Sequence, residues 1–279
     1  MLEVNQIYHG DCLEVMKDID DKSIDLVLTD PPYGIGLDVW DIKVDIEKFT
    51  KQVNRVLTEE GFYVFFGQMP TIIEWINQAN QLLKFKDHIS WVKRTITPSK
   101  RLNRGHEEIM IYSKNGTKFY NTKGKYEDVK VTGISFDTAT IESVKRYISS
   151  LHATINGSKK EIVRPGKSNS LYKRYHLPSF RAPEYVNYTN VWSFLPQNNK
   201  NRNKTEFGHP TTKPLLLVKR LVEMLTLENM IVLDPFIGSG TTAIACQELN
   251  RKFIGMELSK EYYDMAQKRV NQTPKPLLV

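Results

Sequence analysis

Cysteine is almost absent. Cys12 and Cys246 are the only two in 279 residues, too few for a disulfide scaffold or a multi-cysteine zinc cluster. A reducing compartment is therefore expected. No run of about 18 apolar residues occurs, so no membrane-spanning helix is expected. The opening stretch MLEVNQIYHGDCLEV has no basic start followed by an apolar segment, which argues against a secretory signal. What is present is an ordinary globular mixture, 40% hydrophobic and 25% charged. That is too apolar for wholesale disorder, and long enough for one large domain or a core carrying one sizeable insertion.

Positive charge is unevenly spread. Residues 116–208 hold 16 Lys and Arg against 7 Asp and Glu, a surplus of +9, while the rest of the chain holds 23 against 25, or −2. The net charge of +7 therefore comes from one central segment. Such a patch fits a polyanion partner, and a solvated basic face is the plainer alternative. This segment also has weak periodicity, scattered aromatics and prolines at 165, 178, 183 and 196. It reads as a loop-rich insertion. Gln197–His209 (QNNKNRNKTEFGH) is its most linker-like stretch.

The flanking regions alternate short apolar runs with helical patterns. Strands are predicted at Ile24–Thr29, Phe62–Phe66, Ile89–Val92, Glu108–Tyr112, Met230–Leu233 and Lys252–Met256. Helices are predicted at Asp45–Thr58 with Asp45 as N-cap, and at Thr71–Leu83, Thr212–Leu225, Thr241–Leu249 and Ser259–Val270. Alternation of this kind predicts an α/β fold, doubly wound around a mostly parallel sheet. Three parts follow: 1–115 and 209–279 as two halves of a core, and 116–208 as the insertion.

Two motifs carry chemistry. Asp30-Pro31-Pro32-Tyr33 directly follows the first predicted strand. The prolines cannot continue a ladder, so the turn sits where ligands bind in open α/β sheets. It offers one carboxylate, spare carbonyls and one aromatic face, a set that suits the exocyclic amine of a flat base. A rigid turn with a capping Asp is the structural alternative. The second motif is Asp234-Pro235-Phe236-Ile237-Gly238-Ser239-Gly240-Thr241-Thr242, between a strand and a helix. Its glycines permit close backbone approach to a ligand. Glu257 follows Gly238 by 19 residues, the spacing of an acid that holds ribose hydroxyls. The Gly-x-Gly-x-x-Ala pattern also passes as a dinucleotide fingerprint, which leaves a nicotinamide-dependent oxidoreductase as a remote alternative. This loop lacks the Gly-Lys-Ser/Thr of a phosphate-binding loop. Asp234 would repel a pyrophosphate and welcome a cation.

Taken in order, these residues resemble the amino-methylating DNA methyltransferases of the permuted β class. Gly10-Asp11-Cys12-Leu13 is similar to the segment that touches the cofactor adenine, and Asp30–Tyr33 to the catalytic motif. Trp40-Asp41 is similar to the end of the loop that closes over the target base. His209-Pro210-Thr211-Thr212-Lys213-Pro214 resembles the segment beside the methionine part of the cofactor, Asp234–Thr242 the main cofactor loop, and Glu257 the ribose acid. The resemblance covers about 1–115 and 209–271 and stops at the basic middle, where the family varies most.

The resemblance implies a seven-stranded Rossmann-like methyltransferase sheet with an inserted target-recognition region. It implies S-adenosylmethionine as cofactor, contacted by Asp11, Cys12, Asp30, His209, Thr211, Lys213, Asp234, Phe236, Gly238, Ser239, Gly240, Thr241, Thr242 and Glu257. Asp30, Pro31, Pro32 and Tyr33 would be catalytic. Trp40, Arg146, Arg164, Arg174 and Arg181 would touch duplex DNA, and no metal is implied. The reaction would be adenine-N6 methylation of a flipped-out base. Asp at position 30 favours adenine over cytosine N4, where relatives more often show Ser. No Pro-Cys pair occurs, which sets the chain apart from cytosine-C5 relatives. Relatives are often dimers and act in the cytoplasm of prokaryotic or phage-infected cells. A companion restriction endonuclease is an open partner. His106, Trp91 and Lys93 read as structural.

Overall fold

The computed structural model describes residues 2–32, 44–97, 104–121, 123–125, 185–187, 191–193 and 212–273. In chain order the elements are β1 (Gln6–His9), α1 (Cys12–Val15), β2 (Ile24–Thr29), α2 (Ile46–Val56), β3 (Leu57–Gly67), α3 (Ile72–Leu82), β4 (Lys84–Thr97) and β5 (Arg104–Ser113). Then come β6 (Lys123–Lys125), β7 (Tyr185–Asn187), β8 (Val191–Ser193), α4 (Leu215–Leu225), β9 (Ile231–Asp234), α5 (Thr241–Glu248), β10 (Lys252–Glu257) and α6 (Lys260–Gln272).

The apolar runs become the centre of the sheet. In β2, Ile24, Leu26, Val27 and Leu28 are all buried, as a parallel strand covered on both faces requires. Along β3 the faces alternate. Phe62, Val64 and Phe66 join the core under α4, α5 and α6, while Tyr63 and Phe65 join the core under α1, α2 and α3. Helices thus cover both faces. Asp45 caps α2 by accepting the Lys48 N–H at 3.1 Å. Phe49, Val53 and Val56 of that helix face inward.

The strand order is β1-β10-β9-β2-β3-β5-β4-β8. From β1 to β3 every neighbouring pair is parallel. β5 runs antiparallel to both β3 and β4. Seven of these strands come from the flanking regions, and β8 of the central segment adds an eighth. It lies parallel to Ser90–Val92 of β4 and buries Trp192, which covers an edge that would otherwise be open. β6 and β7 pair separately. β1, not anticipated from the sequence, is four residues long and lies at the other edge.

One boundary moves. The helix expected from Thr212 starts at Leu215. Pro214 keeps the residue before it out of the helical region, so Lys213 stays in extended approach rather than joining the first turn. Among the described residues, no helix is long and apolar enough to cross a membrane.

β2 and β9 are central neighbours, with Leu26 opposite Val232 and Val27 opposite Leu233. From that seam the chain winds outward in opposite directions, to β3 on one side and β10 on the other. This is a topological switch point, and the crevice lies beyond the carboxyl ends of the two strands. β10 must pack closely there. A Cβ on Gly255 would lie 2.3 Å from Ile237 Cδ1. Gly255→Val is therefore expected to destabilise the fold by about 1–3 kcal/mol through overpacking, measured by urea unfolding.

Candidate active site

The site begins at the end of β9. Asp234 is buried, its Oδ2 accepting the Thr242 hydroxyl at 2.6 Å and its Oδ1 accepting the Phe236 N–H at 3.2 Å. Burial pushes its pKa up to about 7 against those two bonds, and the nearby Asp30 adds like-charge repulsion. The loop then turns through Gly238 (φ +50°) and Gly240 (φ +82°), both left-handed. Gly240 also closes against α6, where an added Cβ would sit 3.3 Å from that of Ala266. The Gly240 N–H donates to Ile237 O at 2.9 Å, and the Ile237 N–H to Met256 O at 2.9 Å. Phe236 lies with its ring 5.4 Å from that of Phe49.

A residue that the sequence reading did not single out braces this loop. Arg269 of α6 is buried, and its Nη1 donates to Ser239 O (2.7 Å), Ser239 Oγ (3.1 Å) and Thr241 Oγ1 (3.2 Å). The signal was in the sequence. Arg269 shares the buried stripe of Tyr262, Ala266 and Val270, so a cation stands where helical spacing calls for an apolar residue.

Glu257 ends β10, and both its oxygens reach the loops. Oε2 accepts the Gly238 N–H at 3.0 Å and Oε1 the Ser259 N–H at 2.9 Å. Burial raises its pKa in spite of these bonds. Its backbone carbonyl accepts the Gly10 N–H at 3.0 Å, which brings the Gly10–Leu13 segment to the same edge. There Asp11 caps α1 by accepting the Leu13 N–H at 2.7 Å. Cys12 is buried, and burial pushes its thiol up to about 12. It is a neutral packing group, not a nucleophile.

At the end of β2, Asp30 forms an ion pair with Lys213, which arrives from just before α4. Pro31 is buried and Pro32 half-buried. The Lys213 ammonium also lies 3.8 Å from Glu107 Oε2 on β5 and 5.2 Å from the centre of the Phe66 ring. Burial alone would pull the lysine pKa down, but Asp30 and Glu107 outweigh it and hold it above the ordinary value. Gln68, just past β3, approaches Glu107 Oε1 with its Nε2 at 3.5 Å. Neither Glu107 nor Gln68 was marked by any sequence motif.

The fold therefore gathers Asp11, Cys12, Asp30, Lys213, Asp234, Phe236, Gly238, Ser239, Gly240, Thr241, Thr242 and Glu257 around one sheet edge. Tyr33, Trp40, His209, Thr211, Arg146, Arg164, Arg174 and Arg181 lie outside the described residues. His106 is an exposed β5 residue 3.3 Å from Glu108, and Trp91 is core. The edge is rich in carboxylates and has left-handed glycines for close approach. Each carboxylate oxygen of Glu257 can accept a further bond beside the backbone N–H it already holds. This donor set fits a cationic ligand with free hydroxyls better than a pyrophosphate. Because three acceptors depend on one buried guanidinium, Arg269→Met is expected to cost about 1–3 kcal/mol. Urea unfolding checks it.

Comparison with known proteins agrees with this geometry. The N6/N4 methyltransferase family, described as DNA methylases, matches residues 24–268. The chain is 29% identical to the type II methyltransferase M1.MboII of Moraxella bovis, over 98% of each chain. It is 27% identical to the DNA adenine methyltransferase YhdJ of Escherichia coli (strain K12), covering 96% of this chain and 83% of that one. The crystal structure of the M1.HpyAVI–SAM complex shares the fold, with a TM-score of 0.56 and 23% identity over 95% of this chain and 99% of that one. With the match spanning almost the whole described core, and the two motif-bearing loops meeting at its switch point, the chain belongs to the N6/N4 family of DNA methylases.

Proposed function

We propose that this chain is a site-specific DNA methyltransferase that uses S-adenosylmethionine to methylate N6 of adenine in duplex DNA. The observation that carries the reading is the placement of Asp30 and Asp234 at the ends of adjacent parallel strands. One loop can then hold an amine while the other holds a cationic methyl donor. Asp234 and the Gly238–Thr242 loop would hold the cofactor, with Glu257 accepting its ribose hydroxyls. Bound, the cofactor supplies a methyl group activated by a sulfonium.

The chain's own residues handle the amine. An adenine amine is a poor nucleophile because its lone pair is delocalised into the ring. Two acceptors at the turn, the Asp30 carboxylate and the Pro31 carbonyl, take its two N–H groups and draw the nitrogen toward a tetrahedral shape. The same acceptors stabilise the positive charge that develops there. Tyr33 supplies a face on which a flipped base stacks, worth about 1–3 kcal/mol against the few kcal/mol that unstacking costs. No covalent enzyme intermediate is needed, in keeping with the neutral Cys12.

The basic 116–208 segment serves as the target-recognition region between a catalytic half (1–115) and a cofactor half (209–279). Arg146, Arg164, Arg174 and Arg181 are its proposed DNA contacts, and Trp40 of the catalytic half is a further one. Duplex DNA is the partner, within the cytoplasm of a prokaryotic or phage-infected cell. A homodimer and a companion restriction endonuclease rest on the family resemblance alone. The second reading, cytosine N4, keeps the same site. An aspartate at position 30 favours adenine.

Incubation with labelled S-adenosylmethionine and unmethylated genomic DNA, followed by nucleoside analysis, is expected to yield N6-methyladenine. N4-methylcytosine would instead support the second reading. Asp30→Ala should lower transfer by about 100- to 1,000-fold and leave cofactor binding within a few fold. Cofactor binding should also depend on pH. Asp234 titrates near 7, and its carboxylate form favours a cation. Affinity should therefore rise by up to about tenfold from pH 6 to pH 8, and Asp234→Asn should flatten that slope. Fluorescence titration across the range checks both.

A further inference from the structure

The ion pair at Asp30 has a third member that the family motifs do not mark. Lys213 is brought to Asp30 by a local constraint. The proline that follows it holds the backbone extended before α4, so the side chain projects across the edge of the sheet. Its side chain is only 12% exposed, and those of Asp30 and Glu107 are 24% and 7% exposed. Three charged side chains from β2, β5 and the entry to α4 thus meet in a largely dry space, on the ring of Phe66. Among the described residues, the charged groups acting on Lys213 are Asp30, Glu107 and, more distantly, Asp234. Asp30 in turn faces Lys213 and Asp234. One ammonium stands among three carboxylates.

We propose that Lys213 is the positioning residue for Asp30, and that Glu107 anchors Lys213 in that place. This rests on the reading of Asp30 as the acceptor of the target amine. The role needs the carboxylate, since a protonated Asp accepts more weakly and carries no charge to stabilise the positive charge that develops on the amine. Without a cation beside it, a half-buried Asp30 close to Asp234 would bind a proton more readily, by burial and like-charge repulsion together. The Lys213 ammonium opposes both effects and fixes the carboxylate through a charge-assisted bond. Glu107, with Gln68 at its other oxygen, holds the ammonium from the opposite side. The family resemblance placed Lys213 with the cofactor. In the structure it also pairs with the Asp30 turn.

The assignment separates cleanly in a set of variants: Lys213→Met, Lys213→Arg, Glu107→Gln and the double variant Lys213→Met/Glu107→Gln. In steady-state methylation of duplex DNA, Lys213→Met should lower kcat at pH 7 by at least about tenfold. Its acid limb should move to higher pH, and S-adenosylmethionine affinity should stay within threefold. Lys213→Arg should restore most of the rate, and the double variant should recover part of what Lys213→Met loses, because it removes a buried carboxylate that has lost its cation. Loss of cofactor affinity with kcat kept would overturn the proposal in favour of a cofactor role. A fall in kcat with an unmoved pH profile would overturn it in favour of simple packing.

A second readout needs no catalysis. In the protein without cofactor, thermal unfolding of the wild type, Lys213→Met, Glu107→Gln and the double variant forms a double-mutant cycle. Lys213→Met should lower Tm more at pH 8 than at pH 6, since carboxylates left without their cation are relieved by protonation. Glu107→Gln should return part of that loss. Additive Tm changes that are equal at both pH values would overturn the coupling. If the wild-type chain methylates no DNA, the proposed function fails, and this cycle still decides whether Lys213 and Glu107 act as a unit.

Discussion

Two buried strands lie side by side and parallel at the middle of the sheet, and the candidate chemistry hangs from their carboxyl ends. β2 and β9 pair through Leu26, Val27, Val232 and Leu233, all fully buried. Because parallel strands point the same way, Asp30 and Asp234 emerge at one edge. Because the chain winds away from this seam on both sides, no crossover helix among the described residues covers that edge. A slip in this register would separate the two loops and turn apolar side chains to the wrong face. The hydrophobic packing that makes the fold is thus also what sets the geometry of the site.

The charges at that edge are tolerable only as a group. Asp234 and Glu257 are buried, and each accepts bonds from the loop it supports. Arg269 supplies a buried cation beneath the glycine turn, and Lys213 a second one beside Asp30. Buried charges are sustained by partners of opposite sign and by hydrogen bonds. Carboxylates still outnumber the ammonium around Lys213, which leaves the crevice suited to a cationic ligand. The basic surplus lies in another part of the chain, residues 116–208. Charge is thus divided between a basic segment and an acidic crevice.

Much of this was legible in consecutive residues. The runs IDLVLT and KFIGM announced strands, and Asp45 announced a helix cap that the Lys48 N–H confirms. The Asp30–Pro32 turn and the Asp234–Thr242 loop could be read because prolines, glycines and caps act on their immediate neighbours. β1 was missed because four residues are too few for a period to show, and its partner lies at the far end of the chain. The Thr212 helix start was missed because the apolar stripe continues past the point where Pro214 stops the backbone. Arg269 was overlooked although it is the one charged residue in the buried stripe of Tyr262, Ala266 and Val270.

By itself, the sequence determined the doubly wound core, its two motif-bearing turns, the acid that follows the glycine loop and the location of the basic surplus. These follow from short-range rules of periodicity, turn chemistry and composition. Only the tertiary structure decided which side chains hold those turns in place. Lys213 beside Asp30 and Glu107, Gln68 at Glu107 and Arg269 under Ser239 join residues from distant parts of the chain. The physical reason is that a buried ion pair depends on distance and desolvation, and both are fixed only once strands far apart in sequence have paired.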